Sequence, residues 1–236
     1  REKSLEEERD EFISVVSHEL RTPIAIAEGN VSNAQLIASK QVKNQMIDNS
    51  LKVAHEQIVF LAGMINDLST LSRAERGVLK VECEPINTHD LVLDLQKTYL
   101  SAAESKGLKL KTKLDPKLEI LNSSKLYVRE ILQNFITNAI KYTEKGSVTI
   151  AALPYESGVV FEVSDTGIGI SKTDQERVFD KFFRSEDFRT RSTNGTGLGL
   201  YVTMKLTRLI NAKVSLESEL NHGSCFIITI PNFNKL

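Results

Sequence analysis

The sequence predicts two domains: an all-α helical hairpin, followed by an α/β (α+β) two-layer sandwich whose mixed sheet is covered by helices on one face. Two observations predict this fold class. The first part of the 236-residue chain repeats apolar residues at steps of three and four, and short alternating segments interspersed with helical patterns begin near "RAERGVLK" (73–80). Steps of three and four place one apolar stripe on a helix, whereas alternation indicates a strand. We therefore expect domains at 1–75 and 78–236.

The first domain consists of two predicted helices, each with one apolar stripe. The join at 39–44 ("SKQVKN") is short and polar, so the helices should fold back as a hairpin. One hairpin buries little surface alone, whereas two copies packed as a four-helix bundle bury both stripes. We therefore expect a homodimer. The stripe positions are Phe12, Val16, Leu20, Ile24, Ala27, Val31 and Ala34 in the first helix and Ile47, Leu51, Ala54, Ile58, Leu61, Ile65 and Leu68 in the second.

The second domain follows Gly77, which is expected to end the second helix. Runs of strands interspersed with helices suggest a mixed sheet with helices packed on one face. The predicted strands are Leu79–Glu84, Leu108–Lys113, Ser147–Leu153, Val159–Ser164, Lys213–Glu217 and Cys225–Ile230, and the predicted helices are His89–Ala103, Ser124–Tyr142, Lys172–Phe179 and Thr196–Leu209.

Composition argues against several classes of protein. The net charge of −1 gives no electrostatic reason to expect nucleic acid or an anionic membrane as the main partner. The two cysteines, Cys83 and Cys225, lack CxxC spacing, which argues against a disulfide framework and favours a reducing compartment. No apolar run approaches the ~18–20 residues that span a bilayer, and the charged start "REKSLEEERDEF" resembles no signal peptide. We expect a cytoplasmic piece of a longer protein, with any membrane segment outside it.

The stretch "SVVSHELRTPI" (14–24) places a histidine on the first helix. Two residues subtend about 200° on a helix, so His18 points away from Val16 and lies off the apolar stripe. Pro23 removes a helix hydrogen bond and bends the chain one turn later, and Glu19 can fix the imidazole tautomer. An exposed imidazole is mostly neutral at pH 7 and therefore nucleophilic. A surface histidine without a role is the alternative.

The stretch "LQNFITNAIKYT" (132–143) lies on a predicted helix of the second domain. Asn138 and Lys141 are three residues apart and share a face. An amide oxygen is a hard ligand suited to Mg²⁺, and an ammonium beside it suits phosphate oxygens. The alternative is an ordinary amphipathic helix with its polar residues outward.

Two glycine-rich turns follow, "SDTGIGI" (164–170) and "NGTGLGL" (194–200). Asp165 ends a strand, and its carboxylate can accept a hydrogen bond from adenine's exocyclic amine, where guanine presents a carbonyl. The second turn opens a helix, where backbone N–H groups can approach phosphates at the positive end of the dipole. It lacks the GK[ST] ending of a P-loop. Each turn alone would also fit a plain glycine turn.

The segment between the two turns, "VFDKFFRSEDFRTRSTNG", begins with three phenylalanines and continues as a polar, arginine-rich stretch. Phe179, Phe182 and Phe183 could anchor one end of a mobile lid over a nucleotide. A surface loop with a small aromatic anchor is the alternative.

Together these motifs resemble those of the sensor histidine kinases of two-component systems, over nearly the whole chain. "FISVVSHELRTPI" looks like their H box, in the HisKA-type hairpin, and the later motifs look like the N, G1, F and G2 boxes of their GHKL (Bergerat-like) ATP-binding domain. The resemblance implies that His18 is phosphorylated, Glu19 is its acid/base partner and Thr22 positions water for dephosphorylating a partner. The metal ligand it implies is Asn138. The nucleotide-binding residues it implies are Asn134, Asn138, Lys141, Tyr142, Asp165, Gly167, Gly169, Ile170, Phe179, Phe182, Arg184, Gly195, Thr196, Gly197, Leu198, Gly199, Leu200 and Ser224.

The expected activity is autophosphorylation of His18 by ATP with Mg²⁺. The resemblance further implies transfer of the phosphoryl group to an aspartate of a response-regulator receiver domain, and phosphatase activity through Thr22. A conformational GHKL ATPase is one alternative, but such enzymes carry a water-activating glutamate four residues before the metal-binding asparagine. Here that position is Asn134, whose amide cannot act as a base. A non-catalytic dimeric scaffold is the other alternative, disfavoured by the retained His18, Glu19, Asn138, Asp165 and glycines.

Overall fold

The computed structural model describes residues 20–37, 45–75, 77, 79–191 and 195–233. These residues form two compact units: the described residues up to Ser69, together with 195–196, form the first, and those from Thr70 to 191 and from 197 to 233 form the second. The predicted domain limits of 1–75 and 78–236 stay a prediction. The sequence-predicted residues outside the described ranges are His18, Glu19, the stripe positions Phe12 and Val16, and the join at 39–44.

The first unit contains two long helices, as the apolar stripes predict. Helix α1 occupies 20–37, and helix α2 is Gln45–Glu75, whose last turns belong to the second unit. The two helices are joined by a hydrogen bond, in which Asn33 Nδ2 donates to Ser50 Oγ at 3.3 Å. The described parts of the hairpin therefore have a direct polar link as well as apolar packing.

The apolar stripes of the hairpin are only partly covered within one chain. The small stripe residues Ala27, Ala34 and Ala54 are buried. Five large residues of the same stripes are exposed by 36–59%, namely Ile24, Val31, Leu51, Ile58 and Ile65, whereas Leu20, Ile47, Leu61 and Leu68 are half-buried. Small side chains allow the two helices to approach each other, which leaves the larger apolar side chains at the surface of the single chain.

The second unit is built on a mixed five-stranded sheet of order β2-β4-β5-β7-β6. Strands β2 and β4 are parallel, and every other pair in it is antiparallel. Two short strands, β1 and β3, pair antiparallel beside it. The strands are β1 Glu84–Asn87, β2 Lys109–Leu114, β3 Ile120–Ser123, β4 Ser147–Tyr155, β5 Gly158–Asp165, β6 Lys213–Glu219 and β7 Gly223–Pro231. The predicted mixed sheet is confirmed.

Helices α3 (Thr88–Ser105), α4 (Lys125–Tyr142) and α7 (Gly199–Leu209) cover one face of this sheet. Alternate residues of the central strands are fully buried beneath them, whereas the residues between are mostly half-buried. Phe135 of α4 stacks on Phe226 of β7 with ring centroids 5.0 Å apart. The predicted placement of helices on one face is therefore confirmed, and the core lies between α4 and strands β4, β5 and β7.

The boundaries differ from the prediction where segments are short. The first strand begins at Glu84 instead of Leu79, because its buried residue Ile86 pairs with Leu121 of the unpredicted β3. The helix predicted over Lys172–Phe179 is only α5, Lys172–Gln175, and an unpredicted short helix α6 occupies Phe188–Arg191. Helix α7 begins after the positive φ of Gly197, which a continuous helix from Thr196 could not contain.

Within the described ranges, no helix combines the length and the apolar content needed to cross a membrane.

Candidate functional site

Helix α4 carries the amide pair that the sequence singled out, and hydrogen bonds fix both amides. Asn138 Nδ2 donates to Asn134 Oδ1 at 3.1 Å, four residues earlier on the same face. Asn134 Nδ2 in turn donates to Thr203 Oγ1 of α7 at 2.6 Å. Both asparagines are half-buried, and Thr203 is fully buried. The amide nitrogen of Asn138 is therefore used in the hydrogen bond to Asn134, and the amide oxygen of Asn138 lies on the side away from that bond.

Lys141 is the cation of the same helix, one turn after Asn138. Burial, together with the nearby charge of Arg184, lowers its pKa to about 8. Its Nζ lies 4.7 Å from the ring centroid of Tyr142. Burial raises the pKa of the Tyr142 hydroxyl, and the charge of Arg184 partly opposes this rise. Two cationic side chains thus lie near each other in a partly desolvated place, an arrangement that a bound anion would stabilise.

Asp165 lies where β5 ends and the first glycine turn begins. Its Oδ1 accepts a hydrogen bond from the backbone N–H of Gly167 at 2.8 Å. Burial raises the pKa of this carboxyl, and hydrogen bonds from the backbones of Gly167 and Ser224 and from the Thr143 side chain partly offset that rise. The carboxylate is therefore held rigidly in a poorly solvated position, as a selective acceptor needs to be.

The first glycine turn is held by the hairpin of β6 and β7. The backbone N–H of Ile170 donates to Ser218 Oγ at 2.8 Å, and the N–H of Asn221 donates to the Ile168 carbonyl at 2.7 Å. Gly169 has φ +65°, and a Cβ there would overlap the carbonyl oxygen of Glu219. Only glycine combines this backbone conformation with so close an approach, so the glycine is a packing requirement of the turn.

The second glycine turn lies against the phenylalanine segment on one side and α4 on the other. The backbone N–H of Phe182 donates to the Gly197 carbonyl at 3.1 Å, and a Cβ on Gly197 would lie 2.6 Å from the carbonyl carbon of Phe182. Phe182 itself has φ +62°. A Cβ on Gly199 would lie 2.9 Å from Asn134 Oδ1. The start of α7, where the first N–H groups have no acceptor within the helix and can bind an anion, is thereby fixed beside the amide pair.

The predicted lid segment contains several internal contacts. Phe179 packs edge-on against Phe226 of the core, with ring centroids 6.4 Å apart. Ser185 Oγ donates to Asp174 Oδ2 at 2.6 Å. Arg189 pairs with Asp187 at 2.6 Å and donates to Asn221 Oδ1 at 2.9 Å, which ties α6 to the hairpin of β6 and β7. The anchor predicted for the phenylalanines thus has a structural basis at Phe179, whereas mobility of the segment stays a prediction.

The structure links most of the sequence-predicted nucleotide residues in small groups. Direct contacts or charge effects link the set Asn134, Asn138, Lys141, Tyr142, Asp165, Gly167, Phe182, Arg184, Gly197, Gly199 and Ser224. Leu198 is fully buried and Leu200 is half-buried, and Gly195 and Thr196, which belong to the first unit, are also half-buried. In the first unit, Thr22 lies on α1 with an exposed side chain.

Three contributors were missed by the sequence reasoning. Thr203 and Thr143 bond to predicted site residues through side-chain hydroxyls, and Ser218 supports the first turn. Thr203 lies four residues after Gly199, so the two share one face of α7. This spacing is the only sequence signal for any of the three missed residues.

An α/β domain with an amide pair and a lysine on one helix, a half-buried carboxylate at a strand end and two glycine turns has the features of an ATPase-type nucleotide-binding domain. Residues 124–234 match the HATPase_c family, described as "Histidine kinase-, DNA gyrase B-, and HSP90-like ATPase". Residues 8–77 match HisKA, the "His Kinase A (phospho-acceptor) domain". The second domain is accordingly an ATP-binding domain, and the first belongs to the phospho-acceptor type.

Similar proteins agree with both matches. The chain is 31% identical over 231 residues to the "Autoinducer 2 sensor kinase/phosphatase LuxQ" of Vibrio parahaemolyticus, which covers 94% of the chain and 26% of that protein. The solved histidine kinase AdeS of Acinetobacter baumannii superimposes with a TM-score of 0.71 at 24% identity, over 92% of this chain and 98% of that one. Full-length ShkA in complex with AMPPNP superimposes with a TM-score of 0.68 at 25% identity, over 94% and 45%.

The chain belongs to the sensor histidine kinases, a family of protein-histidine kinases, and comprises their phospho-acceptor and ATP-binding domains. The resemblance seen in the sequence is thereby confirmed. The chain spans about a quarter of the length of the curated relatives that it matches.

Proposed function

We propose that this chain uses ATP to phosphorylate His18 and then passes the phosphoryl group to an aspartate of a response-regulator receiver domain. The observation that carries the proposal is the network that joins Asn138 to the start of α7 through Asn134, on the helix that also carries Lys141. The domain thus offers a metal-ligand oxygen, a phosphate-binding cation, a helix N-terminus and a half-buried carboxylate, and the same chain carries a phospho-acceptor domain. The complex of the similar kinase ShkA with AMPPNP supports the same use of the domain.

The residues fit a purine nucleoside triphosphate. Asp165 accepts a hydrogen bond from the exocyclic amine of adenine, and guanine is rejected because its carbonyl would face the carboxylate. Lys141 and Arg184 bind phosphate oxygens. The bound phosphate favours the charged form of Lys141, which burial disfavours. Helix α7 directs its first backbone N–H groups towards the same phosphates.

The amide oxygen of Asn138 is the group of the same network that fits Mg²⁺. The nitrogen of Asn138 is engaged with Asn134, and no described residue donates to the Asn138 oxygen. An amide oxygen is a hard ligand of the kind that Mg²⁺ binds, and we assign Mg²⁺ to Asn138. When bound, the ion neutralises negative charge on the phosphate oxygens.

Transfer to a side chain is favoured over hydrolysis by the chemistry of Asn134. Its amide bonds to Thr203 and to Asn138, and an amide has no basic lone pair for activating water. We therefore assign the nucleophile to His18. One imidazole nitrogen forms the bond to the γ-phosphorus, the bond from that phosphorus to the β,γ-bridging oxygen breaks, and ADP leaves. Glu19 accepts the proton of the other imidazole nitrogen, and Thr22 positions water in the phosphatase reaction.

The kinase acts as a homodimer through the hairpin in this proposal. Several large stripe residues of α1 and α2 are exposed in the single chain, with Ile58 exposed by 54% and Ile65 by 59%. A second hairpin would cover them with matching apolar side chains and complete a four-helix bundle. A cytoplasmic location, with any membrane segment outside this chain, also stays part of the proposal.

The proposal is tested by incubating the purified chain with γ-labelled ATP and Mg²⁺. The protein should acquire an acid-labile, alkali-stable label, which His18→Gln abolishes and Asn138→Asp strongly weakens. His55→Gln is the matched control, because His55 is an exposed histidine on α2, and it should keep the label. A label that persists in His18→Gln would place the nucleophile elsewhere. Phosphate release without any protein label would favour the conformational ATPase, and failure to bind nucleotide would favour the scaffold.

A further inference from the structure

Helix α7 contacts the Asn134 amide at two positions one turn apart. Thr203 Oγ1 accepts a hydrogen bond from Asn134 Nδ2 at 2.6 Å. Gly199, four residues earlier on the same face, has its Cα so close that an added Cβ would lie 2.9 Å from Asn134 Oδ1 and 3.0 Å from Nδ2. Thr203 is 1% exposed, so water cannot replace its hydroxyl in this hydrogen bond.

The orientation of Asn134 determines which end of the Asn138 amide faces the nucleotide site. An amide has a donor end and an acceptor end. The Thr203 hydroxyl accepts a hydrogen bond from Asn134 Nδ2, and Asn134 Oδ1 accepts one from Asn138 Nδ2 at 3.1 Å. If Asn134 turned over, its nitrogen would face Asn138, and Asn138 would then present its own N–H groups to the site. An N–H group repels a cation, whereas an amide oxygen binds one.

We infer that Thr203 is a positioning residue for Mg²⁺: its hydroxyl anchors the Asn134 amide, whose oxygen holds the Asn138 nitrogen and so leaves the Asn138 oxygen available to the metal ion. The inference rests on the proposed function, because it deepens the metal site assigned there. Thr203 acts only through Asn134 and is not a metal ligand itself.

The test measures binding of ADP by calorimetry, with Mg²⁺ and with EDTA, so that it does not depend on phosphorylation. In the wild-type chain Mg²⁺ should tighten ADP binding. In Thr203→Val, which keeps the shape and removes the hydroxyl, this tightening should fall by about tenfold, the effect expected for one lost hydrogen bond to a buried amide. The affinity in EDTA should stay within about twofold. Thr203→Ser should restore the Mg²⁺ effect, because it restores the hydroxyl that bonds to Asn134.

The matched control is Thr207→Val. Thr207 is also fully buried on α7, and its hydroxyl donates to the Thr203 carbonyl at 2.7 Å instead of contacting Asn134. It should leave the Mg²⁺ effect unchanged. If circular dichroism shows that Thr203→Val does not fold, Thr203→Ala is measured in its place, with Thr203→Ser again as the rescue.

Each outcome is informative. An equal loss of ADP affinity with and without Mg²⁺ would make Thr203 a packing residue and would overturn the inference. So would an unchanged Mg²⁺ effect in Thr203→Val, or ADP binding by the wild-type chain that does not respond to Mg²⁺. Failure of the proposed function is seen separately, as a wild-type chain that binds Mg²⁺ and ADP as expected but transfers no label to His18.

Discussion

Lys106, the residue after α3, donates from its ammonium to the backbone carbonyl of Lys141 at 3.0 Å and to that of Ile140 at 2.7 Å. These carbonyls belong to the last turn of α4, where a helix has no internal donors left and its dipole is negative. Lys106 therefore stabilises the end of α4, the helix that carries Lys141. Lys141 is held in its partly desolvated position, close enough to Arg184 for the two charges to interact.

The pKa of Lys141 predicts how nucleotide binding depends on pH. Without nucleotide, burial and Arg184 lower this pKa from 10.5 to about 8. A bound phosphate favours the ammonium and raises the pKa, so the complex holds more protons than the free protein at pH values above about 8. Affinity for ADP should therefore be full below pH 8 and fall as pH rises through it, approaching about tenfold per pH unit.

Calorimetry between pH 7 and pH 9.5 checks this dependence. Lys141→Arg should flatten it, because a guanidinium stays charged throughout this range. Lys145→Arg, at an exposed lysine in the turn after α4, is the control and should keep the wild-type profile. A wild-type affinity that does not change across pH 8 would contradict the assignment of Lys141 to a phosphate.

Gly169 predicts a large difference between two glycine-to-alanine substitutions. Gly169→Ala forces alanine to φ +65° and into the Glu219 carbonyl. It should lower the free energy of unfolding by about 2 kcal/mol or more and weaken ADP binding, because the turn beside Asp165 must move. Gly63→Ala is the control, since Gly63 lies inside α2 with no atom within 4 Å of an added Cβ. It should be neutral or stabilise by about 0.5–1 kcal/mol.

Urea unfolding of each variant gives these free energies, with ADP binding measured alongside. Equal effects of the two substitutions would show that the first glycine turn tolerates a side chain. The close packing against the hairpin of β6 and β7 would then have no role in holding the turn.

The sequence allowed most of the second domain to be predicted, because its long elements have regular patterns. Strands β4, β5 and β7 alternate buried and half-buried residues, and α4 repeats apolar residues such as Val128, Ile131 and Phe135 at helical steps. The motifs on α4 and the two glycine turns were also recognisable, since each is a local pattern of chemically related residues.

The remaining features depend on contacts between distant parts of the chain. Strand β3 has four residues, too few for a pattern, and it exists because Leu121 is buried opposite Ile86. Thr203 and Lys106 bond to α4 across 69 and 34 residues of sequence. No local rule relates such residues, so their contribution to the site becomes visible only when the helices are packed together.

The exposed apolar residues of the hairpin predict that a charge at Ile58 disrupts the proposed dimer. Ile58 lies on the predicted stripe of α2 between Leu51 and Ile65, at seven-residue steps, and all three are exposed in the single chain. Seven-residue steps keep a side chain on the same face of packed helices. Ile58→Glu would bury an unpaired carboxylate in the bundle and should weaken dimerisation at least about 100-fold. Val53→Glu is the control, because Val53 is also an exposed apolar residue of α2 but points about 160° away from Leu51.

Sedimentation of the two variants distinguishes the faces of α2. Ile58→Glu should sediment as a monomer at concentrations where the wild-type chain and Val53→Glu are dimers. ADP affinity should be unchanged in all three, because the nucleotide residues of the second unit do not depend on this face. Dimers that persist in Ile58→Glu would mean that the two copies meet through another surface, and a wild-type chain that sediments as a monomer would remove the bundle from the proposal altogether.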